Sequence, residues 1–181
     1  MRKLLYLFPI TMALAMVEHE SLAGNLENTL YMDLEYGRVV IEMRSDLAPN
    51  HVSRIKELVR SRFYDGVVFH RVIDGFMAQG GDPTGTGTGG SGENIDAEFS
   101  NARHVRGTLS MARAQNPNSA DSQFFICFAD VPHLDGQYTV WGQVIEGIEH
   151  VDKIKHGAPQ NNGLVENPDK IVRMQIASDS E

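Results

Sequence analysis

The chain contains few of the residues on which several common kinds of protein chemistry depend. Its 181 residues include one cysteine, Cys127, so no intrachain disulfide can form. This cysteine lies within the apolar run FFICF, which favours a buried, inert thiol over a catalytic nucleophile. Lysines and arginines are not clustered, and the formal net charge is −8. Because nucleic-acid binding requires clustered positive charge, we expect no nucleic-acid partner.

Motifs for hydrolytic, metal-dependent and nucleotide-dependent catalysis are also missing. There is no G-x-S-x-G sequence, and the seven histidines are scattered without an H-E-x-x-H pair. Zinc would also need further ligands, and a second cysteine is not available. No Lys-Ser or Lys-Thr pair follows the glycine-rich run, as a P-loop would require. We therefore expect neither a metal nor a cofactor.

The N-terminal segment differs in composition from the rest of the chain. Met1-Arg-Lys precedes the apolar run LLYLFPITMALAMV, and Ser21 and Ala23 then supply a small-x-small ending. This order predicts a signal peptide over residues 1–23 and export, to the periplasm if the source is a Gram-negative bacterium. An N-terminal membrane anchor or a flexible apolar tail is the alternative. The run is shorter than the ~20 residues that span a bilayer, so we expect no stable membrane insertion after cleavage.

Short apolar stretches separated by turn residues fill most of the remaining chain. Leu30, Met32 and Leu34 alternate with other residues before a turn at Tyr36-Gly37, which predicts a hairpin with the following VVIEM. The further strand candidates are VVFHRVI, GTLSMAR, QFFICFA, YTVWGQVI and KIVRMQIAS. Many short strands of this kind are typical of a closed antiparallel barrel rather than of alternating βα units.

Only two segments have helical periodicity. The first begins at Pro49 and places Val52, Ile55 and Val59 on one face. The second is predicted over residues 146–156 and is stopped by Gly157. We find no internal repeat, no long linker and no second domain, so we predict one mainly β domain over residues 28–179, capped by two helices.

The run GDPTGTGTGGSG, residues 81–92, contains the pattern G-x-G-x-x-G. Dinucleotide binding requires such glycines to follow a strand and open a helix. Here the next apolar residues, Ile95, Ala97 and Phe99, recur at period two and form no helical face. We interpret the run as a loop that needs unusual backbone angles and close packing.

The segment FHRVIDGFMAQGG surrounds a single arginine, Arg71, with apolar and amide residues. On a strand, Arg71 points away from the side of His70 and Val72. A turn at Asp74-Gly75 would then return Phe76, Met77 and Gln79 beside it. This arrangement would place a hydrogen-bond donor at the edge of an apolar pocket. By pattern alone, a surface ion pair with one of the many acidic residues is the favoured alternative.

FHRVIDGFMAQGGD closely resembles the signature of the cyclophilins, a family of peptidyl-prolyl cis-trans isomerases. GTLSMARA, NSADSQFFICF, LDGQYTVWGQVIEG and VDKI resemble later segments of that family in the same order. The resemblance spans roughly residues 29–177. It implies an eight-stranded antiparallel barrel capped by two helices, and an activity that accelerates rotation about Xaa-Pro peptide bonds without nucleophile, metal or cofactor.

The resemblance also implies a role for individual residues. Arg71 matches the catalytic arginine. The other matches fall into a proline pocket and a substrate-binding set: Phe76, Met77, Phe125, Leu134 and Tyr138 for the pocket, and Gln79, Ala112, Arg113, Ala114, Gln123 and His133 for the substrate. The backbone of the three residues 112–114 would pair with the peptide.

Three residues depart from the family pattern. Members that bind cyclosporin tightly have a tryptophan where this chain has His133, so we predict weak cyclosporin binding. Tyr138 stands where many members have a histidine, and Arg113 replaces a common asparagine. None of these changes affects Arg71, so we expect activity to be retained. The Arg113 side chain is a candidate for tuning substrate preference.

These inferences predict a monomeric isomerase that assists protein folding. Its expected partners are proline-containing peptides and unfolded or partly folded proteins. The alternative is a non-catalytic binding module or holdase chaperone that holds proline-containing segments. Retention of Arg71 favours catalysis, because holding a peptide does not need the guanidinium.

Overall fold

The computed structural model describes residues 25–180, so the predicted signal peptide lies outside the described residues. The strands are β1 (Thr29–Leu34), β2 (Gly37–Met43), β3 (Arg71–Ile73), β4 (Met77–Gly80), β5 (Thr108–Met111), β6 (Phe124–Cys127), β7 (Val140–Glu146) and β8 (Arg173–Ile176). After residue 28, the α-helices are α1 (Pro49–Arg60) and α2 (Ile148–Val151), and single 3-10 turns occur at Pro132–Leu134, Pro159–Asn161 and Ala177–Asp179.

All eight strands belong to one antiparallel sheet in the order β3-β4-β6-β5-β7-β2-β1-β8. The mainly β prediction is therefore confirmed, and the sheet curves into a half-barrel. Its end strands, β3 and β8, do not pair with each other along their length. The segments that precede them meet instead, through an antiparallel bridge between Val68 and Lys170.

The predicted hairpin and first helix are confirmed. Leu34 pairs with Gly37 at the β1–β2 turn. Helix α1 begins at Pro49, where the absent N–H has no helical partner to lose, and it buries Val52, Ile55 and Val59 against the core.

The second helix is much shorter than predicted. Glu146 is the last residue of β7, and Gly147 separates strand from helix with a left-handed φ of 79°. Only Ile148–Val151 form the helix, after which the chain continues in turns. Val151 and Ile154 are both buried, which produces the apolar spacing of a helix. Ile154 nevertheless lies in an irregular segment after the helix has ended.

The two faces of β6 are buried against different groups of residues. Phe124 and Ile126 point into the main core, where Phe124 packs edge-on against Trp141, the single tryptophan. Phe125 and Cys127 point the other way, into a smaller cluster with Met77, Val131 and Leu134. Strand β6 therefore reads as a continuous apolar run because it is covered on both sides. The smaller cluster forms the base of the site described next.

Candidate active site

Strand register aligns three of the sequence-predicted site residues in one row. Arg71 on β3 pairs with Gln79 on β4, and Gln79 pairs with Phe125 on β6. The turn between β3 and β4 includes Gly75, which has a φ of 66° that glycine adopts without strain. Since directly paired residues of an antiparallel sheet project from the same face, the guanidinium, the amide and the ring lie side by side.

These residues border a cavity of about 130 Å³ on the outer face of the sheet. All of its lining residues belong to the predicted set: Arg71, Phe76, Met77, Gln79, Ala112, Arg113, Phe125, Leu134 and Tyr138. The three other predicted residues lie at its margins. Ala114 and Gln123 line an adjoining cavity, and the ring of His133 lies 5.7 Å from that of Phe76.

The floor and walls of the cavity are apolar and well supported. Met77, Phe125 and Leu134 are buried in the smaller cluster. The ring of Phe125 meets that of Tyr138 edge-on, with centroids 5.7 Å apart. Cys127 lies beneath this floor with no exposed surface, and burial raises the pKa of its thiol to about 12. The thiol is thus buried and neutral, as predicted.

The guanidinium of Arg71 is held in position by two other residues. Its Nη1 donates to Oε1 of Gln79, its Nε to the carbonyl of Asn162, and its Nη2 to Oδ1 of the same Asn162, each at 3.1 Å. Partial burial lowers the pKa of Arg71, and Tyr138 opposes the shift. Arginine nevertheless remains charged at neutral pH because its ordinary pKa is so high.

A chain of amide hydrogen bonds links Arg71 to the glycine-rich loop. Nε2 of Gln79 donates to Oε1 of Gln123 at 3.0 Å. Nε2 of Gln123 in turn donates to the carbonyls of Gly87 and Gly89, at 3.1 and 2.8 Å. The two glutamines therefore fix each other's orientation and connect the catalytic candidate with the loop.

The loop is organised around the buried carboxylate of Asp82. This carboxylate accepts the backbone N–H groups of four residues, at 2.6 to 3.1 Å: Thr84, Thr86, Gly87 and Gly89. Burial raises the pKa of Asp82, but hydrogen bonds from the Thr84 hydroxyl and from the backbone of Thr84, Gly89 and Gly87 lower it well below its ordinary range. The loop's polar groups are thus directed towards its own carboxylate, and no helix follows it, in agreement with the interpretation made against nucleotide binding.

A second cavity of about 400 Å³ lies between this loop and residues 112–114. Its wall includes Gly87, Thr88, Gly89 and Gly90, so the loop does border the groove next to the first cavity. The hydroxyls of Thr84 and Thr86 are bonded to Asp82 and to each other.

The backbone of Arg113 is available at the border of the two cavities. The Ala112 N–H donates to the Gln123 carbonyl, and the Ala114 N–H donates to Oγ of Ser119. Within residues 25–180, the N–H and carbonyl of Arg113 make no hydrogen bond. An extended peptide can therefore pair with this residue without displacing an existing contact.

Sequence reasoning missed two residues that support the site. Asn162 adopts a left-handed φ of 53°, and the Asn162-Gly163 pair is a turn signal that marks the position without revealing its contact with Arg71. His104 is buried and stacks on Phe125, with ring centroids 6.2 Å apart. Its Nδ1 lies 3.0 Å from Asp135, and its Nε2 lies 3.0 Å from Oγ of Ser110. Burial lowers the pKa of His104, against the effect of Asp135.

Neither a group of metal ligands nor a membrane-spanning helix occurs within residues 25–180. No three His, Cys, Asp or Glu side chains are grouped as metal ligands would be. In the same part of the chain, no helix has the length and apolar character needed to cross a membrane.

Comparisons with known proteins all point to one family. The family model described as "Cyclophilin type peptidyl-prolyl cis-trans isomerase/CLD" matches residues 29–176. A probable peptidyl-prolyl cis-trans isomerase of Brucella suis is 53% identical over 171 residues, covering 88% of this chain and 87% of that protein. A peptidyl-prolyl cis-trans isomerase of Synechococcus elongatus is 42% identical over 149 residues, covering 82% of this chain and 96% of that protein.

Solved structures give the same result. A cyclophilin from Hirschia baltica superposes with a TM-score of 0.76 at 29% identity, covering 86% of this chain and 76% of that one. A cyclophilin-type isomerase from Cryptosporidium parvum was crystallised in the presence of the dipeptide Ala-Pro. It superposes with a TM-score of 0.75 at 32% identity, and the match covers 82% of this chain and 98% of that one.

The chain belongs to the cyclophilin family. Its activity is that of a peptidyl-prolyl cis-trans isomerase.

The contact between Asn162 and Arg71 yields a test. Asn162→Gly keeps the left-handed backbone and its carbonyl but removes Oδ1, so the guanidinium loses one of its fixed contacts. We expect kcat/KM for a Xaa-Pro peptide to fall about two- to tenfold, as for the loss of one hydrogen bond, and mainly through kcat. Asn162→Asp, which keeps the acceptor, should restore most of the rate.

Asn167→Gly is the matched control, because Asn167 is also exposed and has a φ of 52°. It should leave both kinetic constants unchanged. Equal kinetic effects of the two glycine variants would show that Asn162 does not position Arg71.

Proposed function

We propose that Arg71 is the catalytic residue and that the 130 Å³ cavity holds the proline ring of the substrate. The proposal rests on one observation: the same cavity has a guanidinium fixed by hydrogen bonds and an apolar floor of Phe76, Met77 and Phe125. A proline ring is apolar, and its nitrogen has no N–H, so a donor at the rim can approach that nitrogen directly.

The reaction requires only rotation about one bond. The barrier of ~18–20 kcal/mol arises because the nitrogen lone pair is delocalised into the carbonyl group. At Xaa-Pro bonds the two planar isomers are close in energy, yet uncatalysed exchange takes tens of seconds or longer. Any group that stabilises the twisted amide more than the planar isomers therefore accelerates the exchange in both directions.

A guanidinium N–H can supply that selective stabilisation. Twisting localises the lone pair on the proline nitrogen, which then becomes a hydrogen-bond acceptor. An N–H of Arg71 directed at it is a charge-assisted donor that gains most in the twisted state. The contacts with Gln79 and Asn162 hold the guanidinium in place beforehand, so little reorganisation is needed during rotation.

The remaining residues would orient the peptide on both sides of the proline. The unpaired backbone of Arg113, between Ala112 and Ala114, offers a donor and an acceptor to an extended chain. Gln79 and Gln123 present amide groups along the same groove. With the ring held in the cavity, the preceding carbonyl is the part that rotates.

A non-catalytic holdase is the alternative function. It would use the same apolar cavity, but it would not need a guanidinium fixed by three hydrogen bonds at the rim. The positioning of Arg71 by Gln79 and Asn162 therefore supports catalysis.

Replacing Arg71 separates the two functions. We expect Arg71→Ala to lower kcat/KM by about 100- to 1000-fold, as for other donors that act in the transition state. Arg71→Lys should recover only part of the rate, because an ammonium group cannot retain the same contacts. NMR exchange spectroscopy on a peptide with one Xaa-Pro bond measures these rates. Arg173→Ala, on β8, is the control and should behave as the unsubstituted protein.

An unchanged exchange rate in Arg71→Ala would contradict catalysis by this residue. If suppression of aggregation were then the one activity detected, the holdase function would replace the catalytic proposal.

We further propose that the half-barrel closes between the ends of the sheet. Two hydrogen bonds near the Val68–Lys170 bridge support this closure: Phe69 donates its N–H to Asp169, and Ile171 donates its N–H to Val67, both at 2.9 Å. They join the segments before β3 and β8, and would make the structure a closed barrel in the family manner.

Assistance to the folding of exported proteins is the biological role that we propose. The sequence of residues 1–23 supports export by its basic start, apolar run and small residues at 21 and 23. Clients would be unfolded or partly folded proteins that contain proline, and the enzyme would act as a monomer. N-terminal sequencing of the protein recovered from its host should find a start near Gly24. An intact Met1 would contradict cleavage.

Cyclosporin binding should be weak because His133 occupies the place of the family's tryptophan. Its exposed ring contacts Phe76 but has less apolar surface than an indole. We expect a calorimetric titration to give no nanomolar binding, and His133→Trp to bind more tightly. Nanomolar affinity of the unsubstituted protein would refute the prediction.

A further inference from the structure

We propose that Arg113 is a specificity-determining residue that selects substrates with an anionic side chain next to the proline. The anion is a carboxylate of Asp or Glu, or the phosphate of a phosphorylated Ser or Thr. This inference rests on the proposed binding of the proline ring in the 130 Å³ cavity.

The first observation is an uneven distribution of unpaired positive charge. Most arginines within residues 25–180 form ion pairs with Asp or Glu. The arginines of this part of the chain without such a pair are Arg62, Arg71, Arg113 and Arg173. Two of these four, Arg71 and Arg113, border the proline cavity. In a chain with a net charge of −8, the site therefore combines two cations that no carboxylate pairs with.

The second observation is that the Arg113 side chain is held at the rim. Its guanidinium carbon lies 4.6 Å from the centroid of the Tyr138 ring and 6.0 Å from that of Phe99. Nε and Nη2 donate to the carbonyl of Gln137, at 3.3 and 2.9 Å, and Nη1 donates to that of Ala114 at 3.0 Å. Because these partners are neutral, they orient the guanidinium without compensating its charge.

Two carboxylates of this region, Asp121 and Asp135, are engaged elsewhere. Asp121, which lines the second cavity with Arg113, accepts the backbone N–H groups of Ser91 and Gly92. Asp135 accepts from the backbone N–H of His104 and faces its Nδ1. Neither forms an ion pair with Arg113. A second hydrogen of Nη2 thus has no acceptor within the described residues.

The position of Arg113 determines which substrate residue it can reach. Arg113 lines both the proline cavity and the adjoining 400 Å³ cavity. Its guanidinium contacts Tyr138, which lines the first cavity, and Ala114, which lines the second. A side chain directly adjacent to the proline lies at this boundary. A carboxylate or phosphate there can accept a charge-assisted hydrogen bond from Nη2.

A purely structural role of Arg113 gives a different expectation. As a brace between Ala114 and Gln137, it would affect all substrates alike. As a specificity residue, it changes the ratio between matched charged and neutral substrates. The ratio is measured within each variant, so a general loss of activity cancels.

The experiment measures kcat/KM for two peptide series, one varied at the residue before proline and one at the residue after it. Each series contains Ala, Gln, Glu and phosphoserine at that position. We expect Glu to exceed Gln by about two- to fivefold in one series, as for an exposed ion pair. Phosphoserine should be favoured more strongly because it carries more charge. Both preferences should shrink at about 0.5 M salt.

Variants assign the preference to Arg113. Arg113→Gln should bring the Glu/Gln ratio close to one, and Arg113→Lys should retain part of it. Arg173→Gln is the control, because it removes an unpaired arginine from β8, and its ratio should equal that of the unsubstituted protein. Fluorescence of the buried Trp141 verifies that each variant is folded.

A Glu/Gln ratio of one in both series, together with no preference for phosphoserine, overturns the inference and leaves the isomerase site intact. A ratio that persists in Arg113→Gln overturns it as well. A preference confined to phosphoserine supports it and identifies phosphate as the anion, whereas a preference shared by Glu identifies negative charge in general. If the unsubstituted protein isomerises none of the peptides, the placement of proline itself fails, and the inference fails with it.

Discussion

The antiparallel register of β3, β4 and β6 is the constraint on which the site depends. It places Arg71, Gln79 and Phe125 in one row, so a cation, an amide and an aromatic ring meet on one face of the sheet. A shift by one residue would turn Arg71 into the core and Val72 towards the 130 Å³ cavity. Burial of Val72 and Ala78 on the opposite face opposes such a shift. The core that stabilises the fold therefore also keeps this row of residues in place.

Strand β6 connects stability with function because both of its faces are packed. Phe124 belongs to the main core, and its neighbour Phe125 forms the floor of the 130 Å³ cavity. Truncation of a buried phenylalanine costs about 3–5 kcal/mol, so both positions are under structural constraint. His104 stacks beneath Phe125 and is held by Asp135 and Ser110, which extends this rigid support away from the cavity.

A series of hydrogen bonds connects this row of residues with the groove. Asn162 and Gln79 fix Arg71, Gln123 fixes Gln79, and the carbonyls of the glycine-rich loop fix Gln123. The backbone of this loop is held in place because four of its N–H groups donate hydrogen bonds to the carboxylate of Asp82. Its glycines supply the positive φ values that such a wrap requires, as at Gly85 and Gly87. The glycine-rich run is thus a wall of the groove, organised by a carboxylate that the chain itself provides.

The sequence alone determined the mainly β class, the hairpin at residue 36 and the helix that begins at Pro49. It also determined the contrast between Arg71 and its apolar neighbours. All of these features depend on local periodicity and turn chemistry. Resemblance to the cyclophilins added the expected roles of individual residues. The length of α2 was predicted wrongly, since an irregular segment can bury Val151 and Ile154 as a helix does. Only the tertiary structure decided that Asn162 contacts Arg71 across 91 residues of chain and that the ring of His104 stacks on that of Phe125. It also decided that Arg113 forms no ion pair with a carboxylate within the described residues. These are contacts between distant segments, and their existence depends on how the strands pair and the loops pack, which no local pattern encodes.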